Sequence, residues 1–464
     1  MGMAGDIGPA PGAGPAAGTV AAFGYRQELR RSLSVADLLV YGLLYISPTA
    51  PFATFGILYN ASAGMAPLVY IIGFGAIVFT ALSYMALSRE FPLSGSAYAY
   101  AKLSFGEGAG FLAGWAVTLD YLLAPALIYL AAAVAIGAVL PGVPLAVWGG
   151  ALLAINTLVN LRGIASVARA NAALLALQVL AVMLFLVFAL AAVFHGTAGA
   201  HFSLAPVHGG GRISSGLVLG ALSIGMLNFL GFDAISTLSE EARGGTSSVA
   251  KATLLSLLLA SAFFVAESYL ASLFVLGRKE FPPGIPTYAA FYDIAALAGG
   301  SWLKATLSIA GVFIANVGAG LTAQAAVSRL FFSMARDGRL PRALSHVHPR
   351  RGVPDRATLV VAVITLGLIV FFATRLELLV TIVSFGALTA FLFVHASVMK
   401  HFLWDRRSRN WLRHLLAPAI GFGVVAIVIW GMSGNAKILG GCWMAVGLAV
   451  AMAQHMRRAP RTAR

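Results

Sequence analysis

Three acids stand inside apolar stretches of this sequence: Asp120, Asp233 and Glu267. An ionisable residue in such surroundings is expensive, so each is a candidate for function. Asp233 follows a glycine in Asn228-Phe229-Leu230-Gly231-Phe232-Asp233-Ala234-Ile235-Ser236. Its carboxylate can neutralise an ammonium, carry a proton, or accept bonds from unwound backbone amides. Glu267, in Phe263-Phe264-Val265-Ala266-Glu267-Ser268-Tyr269, has similar choices: a proton site, a second carboxylate for a diamine, or an acid bonded to a neighbouring helix. Asp120 adjoins Tyr121, and neighbours on a helix point about 100° apart, so the two do not face one cavity squarely. Tyr121 can hold an ammonium against its ring, which leaves Asp120 as a structural partner. Asn316 and Gln324 are two turns apart and either line a pore or bond across helices, the second being preferred.

The segment Tyr45-Ile46-Ser47-Pro48-Thr49-Ala50-Pro51 interrupts another apolar stretch. Each proline removes a backbone donor and clashes with the preceding turn. Such breaks survive at membrane depth only where protein buries them or a cavity lines them. Paired interruptions in matching positions of two halves point to a transporter binding site. The plainer alternatives are ordinary proline kinks and close packing by small residues. A break exposes a helix N-terminus, whose free N–H groups favour negative charge. A substrate carboxylate would therefore lie near Thr49 and Ala50, while carbonyls of Leu230 and Gly231 would face its amine and Phe232 would cover the pocket.

The elements that must hold these residues follow from composition. Of the 464 residues 59% are hydrophobic and 10% charged, with a mean hydropathy of +0.88. A typical soluble domain carries about 25% charged residues, so a soluble enzyme, a disordered protein and a fibrous repeat are excluded. Runs long enough to cross a bilayer, about 17–25 residues each, fall at 35–60, 65–88, 106–140, 144–161, 170–195, 217–240, 250–276, 302–334, 357–373, 376–402, 412–432 and 437–456. The spacing predicts twelve spans in an all-α membrane protein. The two breaks fall in the first and sixth. Five spans separate them, an odd number, so the halves they mark are inverted relative to each other.

The formal charge of +15 and pI of 10.3 would also suit nucleic acid, but topology accounts for them. Placing both termini inside assigns 25 of the 31 Lys and Arg to inner segments, as the positive-inside rule requires. Inner clusters such as Arg406, Arg407, Arg409 and Arg413 can also touch anionic lipid headgroups. The lone Cys442 forms no disulfide within the chain and reads as a small buried hydrophobe. The Gly/Ala/Pro-rich start reads as a disordered tail, not a signal peptide, and Asp6 does not fit a myristoylation motif.

Several stretches resemble the amino acid–polyamine–organocation superfamily of permeases. Arg89-Glu90-Phe91-Pro92-Leu93-Ser94-Gly95-Ser96-Ala97-Tyr98 is similar to that family's segment between helices 2 and 3. Gly110-Phe111-Leu112-Ala113-Gly114-Trp115 with Leu119-Asp120-Tyr121 resembles its helix 3. Gly231 to Glu241 resembles its helix 6, and Ser328-Arg329-Leu330 with Met334-Ala335-Arg336-Asp337-Gly338-Arg339-Leu340-Pro341 the end of its helix 8. The resemblance implies a leucine-transporter-like core of five plus five inverted helices with two added. It implies alternating access without ATP, and substrate contact by Tyr121. Tyr45 to Gly56 with the Gly-Phe-Asp form of helix 6 looks most like the putrescine-importer branch. Many members carry Gly-Ser/Thr-Gly at the first break, where this chain has Pro48-Thr49-Ala50. A diamine, lacking a carboxylate, does not need that cradle.

The resulting expectation is a cytoplasmic-membrane secondary carrier for an amino acid, polyamine or related organic cation. The rivals are a neutral amino-acid permease or exchanger and, from another class, a non-transporting sensor or scaffold. Candidate substrate contacts are Ile46, Ser47, Thr49, Ala50, Tyr121, Leu230, Gly231, Phe232 and Asp233; Asp233 and Glu267 are candidates for coupling. The expected division is a tail over 1–34, a ten-helix core over 35–402, two helices over 403–456 and a basic tail over 457–464. No cofactor or metal is expected, only coupling to H+ or an antiported solute. Gly106-Glu107-Gly108-Ala109-Gly110 follows no strand and is no dinucleotide site; His346 and His348 lack further ligands for zinc. The fifth span carries no Lys, which excludes an internal lysine as coupling device. Reporter fusions at Arg464 and near Pro283 should give opposite readouts; matching readouts would overturn the twelve-span topology.

Overall fold

In a computed structural model the protein is described over residues 31–91, 96–139, 143–162, 164–208, 215–282, 285–311, 316–338, 340–373, 376–432 and 434–458. Most of the tail expected over 1–34, most of the basic tail, and Pro92 to Gly95, Pro283 and Arg339 lie outside these. No strand occurs among the described residues; one isolated bridge joins Leu33 to Ala242.

The chain begins with α1 (Val35–Ile46) and α2 (Ala50–Ala61), then α3 (Ala66–Glu90), α4 (Ser96–Phe105), α5 (Glu107–Val139), α6 (Leu145–Arg162) and α7 (Ile164–Phe194). A short α8 (Ala205–His208) precedes α9 (Ser215–Phe229), a 3-10 turn (Phe232–Leu238) and α10 (Gly245–Leu273). Next come α11 (Ile285–Gly299), α12 (Ser301–Ile309), α13 (Asn316–Arg336), α14 (Asp355–Phe372) and α15 (Leu376–Val398). The last are α16 (Ala417–Gly431) and α17 (Gly434–Arg458).

Ten helical stretches are long and apolar enough to cross a membrane, or eleven when α1 and α2, bent by 42° at their break, count as one span. The expected span over 302–334 is not among them: α12 and α13 flank residues 312–315, which lie outside the described residues. Its α13 portion is also poorer in apolar side chains, because it packs inside the bundle. The most enclosed stretches are Glu107–Ala133 of α5 and Leu219–Leu238, each 72% buried, against 17% for Gly434–Ala453 of α17. The bundle therefore centres on α1, α5, α10, α13 and the 3-10 turn, with α16 and α17 at its margin. Cys442, expected to be buried, is exposed on α17. The hydrocarbon of a bilayer does for an outward apolar side chain what a core does in water.

The start of α1 is set locally. Ser34 caps it, its hydroxyl accepting the Asp37 N–H at 3.2 Å while Asp37 Oδ2 accepts the Ser34 N–H at 2.8 Å. This reciprocal box satisfies two donors that a helix start leaves free. The preceding residue then ties to the far side of the sixth span: Leu33 N–H donates to Glu241 at 3.0 Å and Arg243 N–H to Leu33 at 2.8 Å.

At this same end, charges that the sequence spreads over three segments meet. Arg329 Nε donates to Glu241 at 2.5 Å, with both side chains buried. Arg336 grips Glu240 through two nitrogens at 2.9 and 3.0 Å. Asp337 accepts from Lys102 at 2.7 Å and from Tyr98 at 2.5 Å, which adds α4. Removing one partner of a buried pair strands the other charge, at a cost of about 3–5 kcal/mol. Glu241→Gln and Arg329→Gln should therefore each lower the thermal unfolding midpoint in detergent. The double variant should lose clearly less than the sum of the two, and strict additivity would mean that the pair is not coupled.

Candidate functional site

Two helix breaks meet at the centre of the bundle. In the first, α1 stops at Ile46 because Pro48 bars Ser47 from the helical region; Ser47 takes φ 63° and donates its N–H back to Leu43 at 2.9 Å. Thr49, buried, precedes α2 without capping it through its side chain. The amides a carboxylate could use are largely spent within the break. Ala50 N–H donates to Ser47 at 2.9 Å, Phe52 N–H to Thr49 at 3.0 Å, and Pro51 has none. Ser47 and Thr49 hydroxyls lie 3.3 Å apart, and Ser47 also reaches Gln178 on α7 at 3.5 Å.

The second break follows α9. Gly231 has φ +110°, a conformation that side-chain-bearing residues avoid. A Cβ there would lie 1.9 Å from the Tyr45 ring, so only glycine lets the two breaks approach. The 3-10 turn begins at once, and the Gly231 carbonyl accepts the Ala234 N–H at 3.1 Å. Ile46 and Leu230 flank their breaks and are both buried; Ala50 is half-buried.

This turn aims Asp233 into a cage of aromatic residues. Its Oδ2 accepts the Tyr121 hydroxyl of α5 at 2.5 Å and, longer, that of Tyr84 of α3 at 3.5 Å. Oδ1 and the Tyr45 hydroxyl are buried without a hydrogen bond of full geometry, while the backbone amides of Gly231 and Asp233 lie against the Asp233 carboxylate. Tyr45 and Tyr121 rings lie 6.2 Å apart, and Phe232 lies 5.7 Å from both Tyr84 and Phe391. Asp120 is also buried and within electrostatic reach of Asp233. Asp233 thus lies buried against aromatic rings with a second buried acid in electrostatic reach, and no ion pair to either occurs among the described residues.

The structure therefore joins Tyr121, Gly231, Phe232 and Asp233, with Ile46, Ser47, Thr49 and Ala50 at the facing break. Glu267 stands apart: it is wholly buried in α10, forms no hydrogen bond, and is an electrostatic neighbour of Tyr70. Tyr84 and Gln178 escaped the reading of the sequence; a lone amide in the apolar fifth span was the available signal for the latter. Gln324 bonds across to α6, accepting from Asn160 at 3.0 Å and donating to Thr157 at 2.7 Å. The side chain of Asn316 lies outside the described residues. His346 bonds Asp355 at 2.7 Å.

Comparison with known proteins agrees with this architecture. Residues 38–452 match the family described as amino acid permease. A low-affinity putrescine importer of Escherichia coli strain K12 is 33% identical over 432 residues, covering 91% of this chain and 93% of that protein. A branched-chain amino acid permease of Lactococcus lactis subsp. cremoris is 28% identical over 92% of this chain and 95% of its own. A methylthioribose transporter of Bacillus subtilis is 26% identical over 93% and 95%. With its breaks, its many apolar helices and a profile match over nearly all of them, this chain is a multi-pass membrane transporter, not an enzyme, and belongs to the amino acid permease family of the amino acid–polyamine–organocation superfamily.

Proposed function

We propose that this protein is a secondary carrier of the cytoplasmic membrane that moves a polyamine or related organic cation by alternating access. In this reading twelve spans cross the membrane, ten of them forming a five-plus-five inverted repeat, and both termini are cytoplasmic. One observation carries the choice of substrate. Asp233 offers a buried carboxylate with no basic partner among the described residues, hydrogen-bonded by Tyr121 and Tyr84 and within electrostatic reach of a second acid, Asp120. A cation is the ligand that such a site is short of, since buried charges need a partner, and the aromatic faces add cation–π attraction.

The first break supports a substrate without a carboxylate, because Pro51 lacks an N–H and the Ala50 and Phe52 amides bond within the break. The putrescine importer among the relatives fits the same substrate class. In this mechanism the ammonium lies between Asp233 and the rings of Tyr121 and Phe232, with the Leu230 and Gly231 carbonyls beside it. One helix bundle then rocks against the other about this site. Coupling to H+ or to an antiported solute runs through Asp233 or Glu267.

A second reading, carriage of an amino acid, draws on the paired Ser47 and Thr49 hydroxyls, which could hold a carboxylate. A thermal-shift panel of amino acids and polyamines, followed by uptake of labelled ligand into liposomes, decides between them. Asp233→Asn should abolish binding of putrescine. Tyr121→Phe should weaken it by about tenfold or more, since a hydrogen bond to a charged group contributes roughly 1.5–3 kcal/mol. Thr49→Val should leave putrescine affinity unchanged. A parent stabilised only by amino acids, with Thr49→Val defective, would replace the first reading by the second.

A further inference from the structure

Glu267 belongs to a polar cluster of its own. Its side chain is fully buried, and neither carboxyl oxygen has a hydrogen-bond partner. One turn earlier on α10, Phe264 lies 5.3 Å from the ring of Tyr70 on α3. The Tyr70 hydroxyl accepts from Asn228 of α9 at 2.5 Å. The same amide donates to Thr54 of α2 at 2.7 Å, and Thr54 donates to the Ala50 carbonyl at 3.0 Å. The cluster thus runs from α10 to the first turn of α2. All its members lie in the half of the bundle away from the Arg329–Glu241 end.

Nothing in the cluster balances a negative charge on Glu267. Elements packed on α10 bring Tyr41 and Tyr45 from α1, Tyr59 from α2, Tyr70 and Tyr84 from α3, and Asp233 from the 3-10 turn. They also bring His208 of α8, and Tyr292 and Asp293 of α11. Of these, Tyr70 alone bears electrostatically on Glu267. On α10 itself, Tyr269 donates to Ser203 at 3.1 Å and Lys251 lies near the opposite end. A carboxylate without donors or a counter-charge is disfavoured in such a place, whereas a neutral carboxylic acid is tolerated.

We propose that Glu267 is a proton-binding site that fills when this half of the bundle closes. In the open conformation water solvates the carboxylate. On closing, one oxygen forms an O–H bond with a proton taken from the outer solution, and on reopening that proton returns to it. Proton binding and closure are therefore linked. The proposal rests on the carrier reading and assigns the proton to Glu267, leaving Asp233 to the substrate.

The first test is independent of substrate. Infrared spectra of purified parent taken from about pH 8 down to about pH 5 should gain the carbonyl stretch of a protonated buried acid, a gain absent in Glu267→Gln and kept in Glu267→Asp. The same spectral change in parent and Glu267→Gln overturns the proposal. The second test measures initial uptake of labelled putrescine into liposomes as external pH rises from about 5 to about 8. A parent that must gain one proton slows by up to about tenfold per pH unit. Glu267→Gln should be flat with pH, and Glu267→Asp should keep the slope. A Glu267→Gln profile parallel to the parent's overturns the proposal. Should the parent not take up putrescine, the amine reading is what fails, and the infrared band still decides the role of Glu267.

Discussion

The backbone of Gly231 lies so close to the ring of Tyr45 that a single added carbon would collide with it. The rest of the site depends on this contact. Backbone groups in hydrocarbon must find partners within the protein, so a helix can be interrupted there only if something packs against the interruption. Here each break is that something for the other. Ser47 at φ 63° and Gly231 at φ +110° redirect two chains at one level, and the turn that follows swings Asp233 toward α3 and α5. A straight sixth span would carry the same acid but would have no reason to present it to Tyr121.

Charge is distributed along the bundle by the same logic. At one end, acids and bases pair: Arg329 with Glu241, Arg336 with Glu240, Lys102 with Asp337. In the middle and in the opposite half, Asp120, Asp233 and Glu267 are buried without basic partners among the described residues. Pairs that include a deeply buried member are costly to break singly, so the paired end holds α4, α13 and the segment after the 3-10 turn together, and backbone bonds of Leu33 add the start of α1. The acids without basic partners are held in place by packing.

Some of this is written locally in the sequence. The spans are legible because a bilayer demands long apolar runs, and the breaks because Pro48, Pro51 and Gly231 interrupt them. The cap at Ser34 and Asp37 is legible from residue type and spacing alone. The acids are conspicuous for the same reason the spans are, since the background around them is apolar. The pairing of Glu240 and Glu241 with Arg336 and Arg329 was not legible, since the segments that carry them are distant in sequence and nothing local sets them face to face.

What tertiary structure alone decided is which residues face which. Helices in a membrane are apolar on the lipid side as well as on the core side, so the polar stripe that orients a soluble helix is largely missing. The sequence could name Asp233, Tyr121 and Glu267 but not rotate their helices. It therefore left open whether Glu267 joins Asp233, and placed Asp120 away from Tyr121 as a structural partner. The fold brings Tyr121 to Asp233 by a hydrogen bond, keeps the buried Asp120 within electrostatic reach of it, and leaves Glu267 an electrostatic neighbour of Tyr70. The sequence determined that this protein crosses a membrane many times and breaks two of its helices. Only the packing of those helices decided which acid has the aromatic cage and which is left without a partner.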